Sequence, residues 1–263
     1  MKFIEKLLAK KGYVKKENIT PKSKAAAKIE SIQKAGYSCE ERLQQMIDLG
    51  ETFDIVYDCG AFIGRWAQQV NEILPDAKMV LIEPNPQLHA NIRESTKPFK
   101  EQVQLIPSAV GSKLGTAELN VWKNSKHTNS TTALAGSSLL SHVQGEPCVK
   151  HNVTVTTLDE IFKETDWKPE LIKMDLQGYE KDALLGAKGI LSDAKVVISE
   201  FGCLEAYKSR TKPQELFDIL VPYGFLLYDI VDLRYRPYDH ALAGGDFIFV
   251  KKDSPLWEHK DYF

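Results

Sequence analysis

Residues 58–64 read Asp-Cys-Gly-Ala-Phe-Ile-Gly, DCGAFIG, and their setting decides the fold. The apolar segment FDIVYD (53–58) runs directly into this stretch, and a helical pattern from Arg65 to about Leu74 follows it. Strand, glycine turn and helix in immediate succession mark a nucleotide-type binding turn. Gly60 and Gly64 let the backbone bend sharply and approach a ligand closely. The free N–H groups at the helix start suit a carboxylate or phosphate.

Working outward, the same alternation repeats. KMVLIE (78–83) reads as a second strand, followed by a helix opened by Pro86 and reaching about Ser95. VQLIPSAV (103–110), ELIKMD (170–175) and AKVVISEF (194–201) read as the third, fourth and fifth strands, with helices from about Tyr179 and over Pro213–Leu220. FLLYDIV (225–231) and DFIFVKK (246–252) have no helix between them and should pair antiparallel. Strands alternating with helices predict an α/β fold, a doubly wound, mostly parallel sheet covered on both faces. TAELNVW (116–122) and NVTVTT (152–157) alternate like two further strands around the polar stretch 123–150. A connection that long is usually functional or disordered.

Residues 1–50 form an N-terminal helical extension in this reading, and 51–263 the α/β domain. Phe3, Ile4, Leu7 and Leu8 share one helical face within a segment (1–30) that carries nine lysines against three glutamates. Such a helix packs on its own protein or touches an anionic membrane surface. A second helix is signalled by Thr20-Pro21, and a third by Ser38 with Glu41, a capping box, ending near Gly50. The 263-residue chain is 43% hydrophobic and has a net charge of −2, so nothing global marks a nucleic-acid or membrane binder. No apolar run reaches membrane-spanning length. The four cysteines, Cys39, Cys59, Cys148 and Cys203, form no CxxC pair, which favours a reduced, cytoplasmic protein.

The turn also carries a charge argument. A dinucleotide fingerprint has the spacing G-x-G-x-x-G/A; here Phe62 stands where the middle glycine would be. The strand ends in Asp58, whose carboxylate would oppose a pyrophosphate but suits the cationic methionine portion of S-adenosylmethionine (SAM). Glu83, in the run Glu83-Pro84-Asn85, ends the second strand where an acid can accept hydrogen bonds from both ribose hydroxyls. Ser108 and Ala109 lie where an adenine edge would reach. The candidate cofactor residues are therefore Asp58, Gly60, Ala61, Phe62, Gly64, Glu83, Pro84, Asn85, Ser108 and Ala109.

Together with three later stretches, these residues resemble the FkbM family of SAM-dependent methyltransferases. DCGAFIG is similar to the family's D-x-G-A-x-x-G turn, IEPNP to its acidic second-strand motif and PSAVGS to its Ala-Val-Gly step. The most specific match is TLDEI (157–161) leading into LIKMDLQGYEKDALLGA (171–187), with Glu200 and GDFIFV (245–250) completing it. The resemblance covers about 50–251. It implies a seven-stranded, Rossmann-like methyltransferase fold, SAM as cofactor, and O-methylation of a hydroxyl on a saccharide, glycan or related metabolite.

Methylating an alcohol requires removal of its proton. In open α/β sheets ligands bind beyond the carboxyl ends of the strands, where Asp175, Glu180 and Glu200 fall. Three acids in one crevice can raise one another's pKa and create a base, or hold a divalent metal ion that acidifies the hydroxyl. His127, His142 and His151 are alternative bases. A different nucleophile (a carboxylate or an amine) and a SAM-binding module without catalysis are the competing functional readings.

Overall fold

In the computed structural model the described residues are 36–122, 134–145 and 147–258. The two helices expected before Gly36 lie outside them, as does His127.

The elements run α1 (Cys39–Asp48), β1 (Ile55–Cys59), α2 (Arg65–Ile73), β2 (Lys78–Ile82), α3 (His89–Ser95), β3 (Val103–Ile106), β4 (Ala109–Val110) and β5 (Gly115–Trp122). There follow β6 (Cys148–Thr156), α4 (Leu158–Thr165), β7 (Leu171–Met174), α5 (Glu180–Leu185), β8 (Val196–Gly202), α6 (Pro213–Leu220), β9 (Phe225–Tyr235) and β10 (Leu242–Lys251). Seven strands form the main sheet in the order β3-β2-β1-β7-β8-β10-β9. All its pairs are parallel except the last two, β8–β10 and β10–β9, which are antiparallel. Without a crossover helix between them, β9 and β10 have no other way to pair.

Both faces of this sheet are covered. Val56, Met79, Leu81, Leu171, Ile198 and Ile248 point to one side, where Leu43 and Met46 of α1 and Ala67 and Val70 of α2 meet them. Tyr57, Val80, Ile82, Ile172, Val197 and Phe249 point to the other, against Leu158 and Ile161 of α4, Leu184 of α5 and Leu216 and Leu220 of α6. This explains the near-continuous apolar strands: each neighbour in sequence serves a different layer. At ~1.5–3 kcal/mol per fully buried large side chain, these two layers are the main stabilising contribution. α1 begins as the sequence predicts, with Ser38 Oγ accepting from Glu41 N at 3.1 Å and Glu41 reaching back to Ser38 N at 3.3 Å.

Three expectations need adjustment. VQLIPSAV is not one strand but two. Pro107 supplies no N–H to a ladder, so β3 stops at Ile106 and the chain turns. β4 then joins a second, three-stranded sheet in the order β4-β6-β5. The helix expected from Pro86 starts at His89, because the Asn85 side chain accepts from Gln87 N (3.1 Å) and closes a turn ahead of it. Helix α4 was not anticipated, although Thr157 followed by Glu160 is a capping signal; Thr157 Oγ1 accepts from Glu160 N at 3.1 Å.

Candidate active site

Strand order reverses between β1 and β7, and an open α/β sheet leaves its ligand crevice at such a switch point. The turn after β1 fills one side. Gly60 N and Ala61 N donate to Ile82 O at 2.9 and 3.1 Å, and Asp175 N donates to Cys59 O at 2.9 Å. Gly60 has φ +87°, and a Cβ there would lie 2.1 Å from Asp175 O, so only glycine brings β1 this close to β7. Gly64 (φ +76°) opens α2 without a side-chain cap, leaving the helix start free to meet a ligand. Phe62 takes a left-handed φ of 53°, held by its N–H donating to Glu83 Oε2 at 2.9 Å.

Glu83 organises this corner. Its other oxygen, Oε1, accepts from Asn85 N at 2.8 Å. Burial pushes its pKa up to about 7, against the pull of these two N–H groups. Each carboxylate oxygen retains a second lone pair. Asp58, 1% exposed, has no hydrogen-bond partner on either carboxylate oxygen. Burial raises it to about 6, with Lys173 on β7 opposing and Asp175 reinforcing the shift. A buried carboxylate without partners in a glycine-built crevice is a site shaped for a cation. The sulfonium and ammonium of SAM meet that requirement, and Glu83 meets that of a ribose, so the residues present fit this cofactor. One cavity runs along Gly60, Phe62, Glu83, Pro84, Ser108 and Ala109. Its opposite wall is the insertion: Leu134, Ala135 and Ser137–Leu139.

The three expected acids sit at the same end of the sheet but in different states. Asp175 follows β7, with Oδ2 3.8 Å from Lys173 Nζ. Burial alone would lower the Lys173 pKa, but Asp175, Asp58 and Asp246 more than offset it, and the ammonium stays charged. Glu200, on β8, pairs with Arg234 of β9 at 2.6 Å. Burial, with Asp175 and Glu180 adding like charge, holds its pKa well above the ordinary carboxylate range. Glu180 faces away from this pair in function. Its Oε1 accepts from Leu176 N (3.1 Å) and Gly178 N (3.0 Å) and closes the turn before α5. Burial raises Glu180 to about 7.

Gln177 joins the acids, and sequence reasoning passed over it. Its Nε2 donates to Asp175 Oδ1 at 2.6 Å and to Glu200 Oε2 at 3.3 Å, while its Oε1 accepts from Tyr207 OH at 3.1 Å. The residue holds a left-handed φ of 54°. Ser138 Oγ, from the insertion, donates to the Gln177 carbonyl at 3.1 Å. Around it the described part of the polar stretch is pinned. Gly136 O, 3.0 Å from Tyr207 OH, shares that hydroxyl proton with Gln177, while Lys208 N donates to Ser141 O (2.8 Å) and Val143 N to Ala206 O (2.9 Å). His142 packs edge to face against both Trp122 and Tyr207, with ring centroids 5.4 and 5.7 Å away, and those two rings lie tilted 6.4 Å apart. His151 lies on β6 with Nε2 3.4 Å from Gln87 Nε2, away from the acids' hydrogen-bond network. No group of three or more His, Cys, Asp or Glu among the described residues is arranged to hold a metal ion.

A doubly wound sheet with a glycine turn, a buried acid at the end of β1 and a second at the end of β2 is the architecture of a SAM-dependent methyltransferase. The family model of the methyltransferase FkbM domain matches residues 58–227, and the chain belongs to that family. It is similar to the 2-O-methyltransferase NoeI of Sinorhizobium fredii, at 25% identity over 187 residues, 67% of this chain and 75% of that protein. Among solved structures, it is similar to methyltransferase FkbM from Methylobacillus flagellatus KT (16% identity, TM-score 0.47), over 74% of this chain and 43% of that longer one. The chain therefore spans less than half the length of that structure. It is also similar to magnesium protoporphyrin IX methyltransferase (ChlM) from Synechocystis PCC 6803, solved with bound SAM (10% identity, TM-score 0.46, 89% of this chain and 86% of that one).

Proposed function

We propose that this methyltransferase acts on a hydroxyl of a saccharide, glycan or related metabolite. The observation that carries this reading is the Asp175–Gln177–Glu200 network, acids held side by side beyond the strands that border the cofactor crevice. A hydroxyl needs an acceptor for its proton and fixed acceptors to aim it. The similar protein NoeI is named a 2-O-methyltransferase, which supports oxygen as the methylated atom. Ser137 and Ser138, in the described part of the insertion, line the cavity and offer hydroxyls that a sugar can bond.

In this reading SAM, when bound, supplies the methyl group on a sulfonium leaving group. Asp58 receives the cationic methionine end, Glu83 the ribose, and Ser108 and Ala109 the adenine edge. Ala61, Phe62, Pro84 and Asn85 shape the turn that holds it. Asp175 and Glu200 aim the acceptor hydroxyl, and Glu180 fixes the loop that carries Gln177. The insertion covers the acceptor and excludes water. A cytoplasmic location belongs to the same proposal and is supported by four cysteines that remain free.

The test is incubation with methyl-labelled SAM and a panel of methyl glycosides, with mass spectrometry of the products. An O-methyl glycoside is the expected result. Base-labile label on a carboxylate, or no transfer to any hydroxyl, would sink the reading. Asp175→Asn and Glu200→Gln should each cut turnover by ~10²-fold or more. Because Gln177, Arg234 and Lys173 already engage these acids, a chelator should leave the rate unchanged; loss restored by Mg²⁺ would assign the acids to a divalent metal instead.

A further inference from the structure

Besides Glu83, which serves the cofactor turn, five carboxylates stand at this end of the sheet on or beside β1, β7, α5, β8 and β10, and they differ in what their oxygens already do. Asp58 is enclosed beneath the cofactor turn. Glu180 has one oxygen on two backbone N–H groups and the other sealed from solvent. Asp175 accepts from Gln177 and lies beside Lys173. Glu200 has Oε1 on Arg234 and Oε2 on Gln177. These contacts already occupy oxygens that would have to meet an acceptor hydroxyl.

Asp246 is the exception. It stands near the start of β10, directly paired with Glu200 across the β8–β10 ladder. Continuing the β7–β8 register past Met174↔Ser199 sets Asp175 on the other side of Glu200, so the three acids form one row across three strands. The residue is half-buried, on the face of β10 that Ile248 and Val250 share. Its carboxylate makes no hydrogen bond or ion pair with any described residue, and its oxygens are not sealed. The charged and titratable groups around it are Lys173 and Asp175 from β7, Glu200 from β8, Arg234 and Asp232 from β9, and Cys39 at the start of α1.

We propose that Asp246 is the general base of the methyl transfer, the carboxylate that takes the proton of the acceptor hydroxyl. This rests on the hydroxyl reading given above. The hydroxyl oxygen bonds to the methyl carbon while the carbon–sulfur electron pair returns to sulfur, and the hydroxyl proton passes to Asp246 and then to water. Asp175 and Glu200, held in place by Gln177 and Arg234, orient the acceptor beside it through their remaining lone pairs. Burial, opposed by Lys173 and reinforced by Asp175, holds Asp246 at about 6. It is then ionised at neutral pH yet basic enough to accept a proton in the transition state.

Two measurements on the full chain decide the matter. The first is a ¹³C NMR titration of carboxyl-labelled aspartates with S-adenosylhomocysteine bound, the Asp246 signal being assigned by its loss in Asp246→Asn. A midpoint near 6 is expected, and one near the ordinary ~4 overturns the assignment. The second is label transfer from SAM to the methyl glycoside panel. Asp246→Asn should lose at least ~100-fold, Asp246→Glu should recover part of it, and S-adenosylhomocysteine affinity should stay within about twofold by calorimetry. Asp246→Asn turning over at more than about a tenth of the wild-type rate overturns the proposal. If the wild type labels no glycoside, the saccharide reading fails, while the titration still tests Asp246.

Discussion

At the end of β1 the proposed cofactor site is built of backbone; beyond β7, β8 and β10 the acid row is built of side chains. The cofactor turn relies on glycines at left-handed φ, on N–H groups and on one carboxylate, Glu83, that pins the turn while leaving lone pairs for a ligand. The acid row relies on Asp175, Glu200 and Asp246, spaced by strand register and braced by Gln177 and Arg234. The first arrangement gives a fixed shape for a constant partner. Binding and turnover should therefore separate cleanly between the two.

The largest separation is expected at Glu83. Glu83→Ala removes the acceptor for the ribose and the partner of Phe62 N, and should weaken S-adenosylhomocysteine by ~2–4 kcal/mol in a calorimetric titration. Unchanged affinity would show that the turn does not depend on this acid. Gln177→Ala is the opposite case. Alanine tolerates the left-handed φ no worse than glutamine, so the backbone should hold. Loss of the amide donor should cost turnover about tenfold, on the scale of one hydrogen bond to a charged group. Equal losses in cofactor affinity and in turnover would erase the distinction drawn here.

A smaller effect follows from the raised acids in both regions. Asp58 and Asp246 lie at about 6, and Glu83 and Glu180 at about 7, each chiefly through burial. Between about pH 4 and 7 the native protein then binds more protons than the unfolded chain, so this contribution to stability falls as pH rises. The melting temperature of the ligand-free protein should drop from about pH 5 to about pH 7.5. Saturating SAM, a cation beside Asp58, should flatten the part that comes from the cofactor turn and leave the part from the acid row. A melting temperature that climbs over the same range would contradict the assignment of these groups.

The sequence carries the cofactor turn openly, since strand, glycines and helix are contiguous and Asp58 and Glu83 each end a strand. Asp175 and Glu200 can be placed for the same reason, while Glu180 opens the helix that follows and closes a turn instead. Asp246 is not, because its position depends on which residue of β10 meets Glu200, and an antiparallel register is set by packing rather than by local pattern. Gln177 hides inside a turn whose left-handed conformation comes from Glu180 and Ser138, two residues that are far apart in sequence. The break at Pro107, by contrast, is written in the sequence itself: a proline in mid-strand argues against continuity.

The insertion has one further consequence, in the timing of a catalytic cycle. Ser138 belongs both to the wall of the cofactor cavity and to the hydrogen bond that holds Gln177. Any outward movement of that wall pulls on the residue bracing Asp175 and Glu200. In the proposed function, opening of that wall to exchange the cofactor would loosen the acids as well.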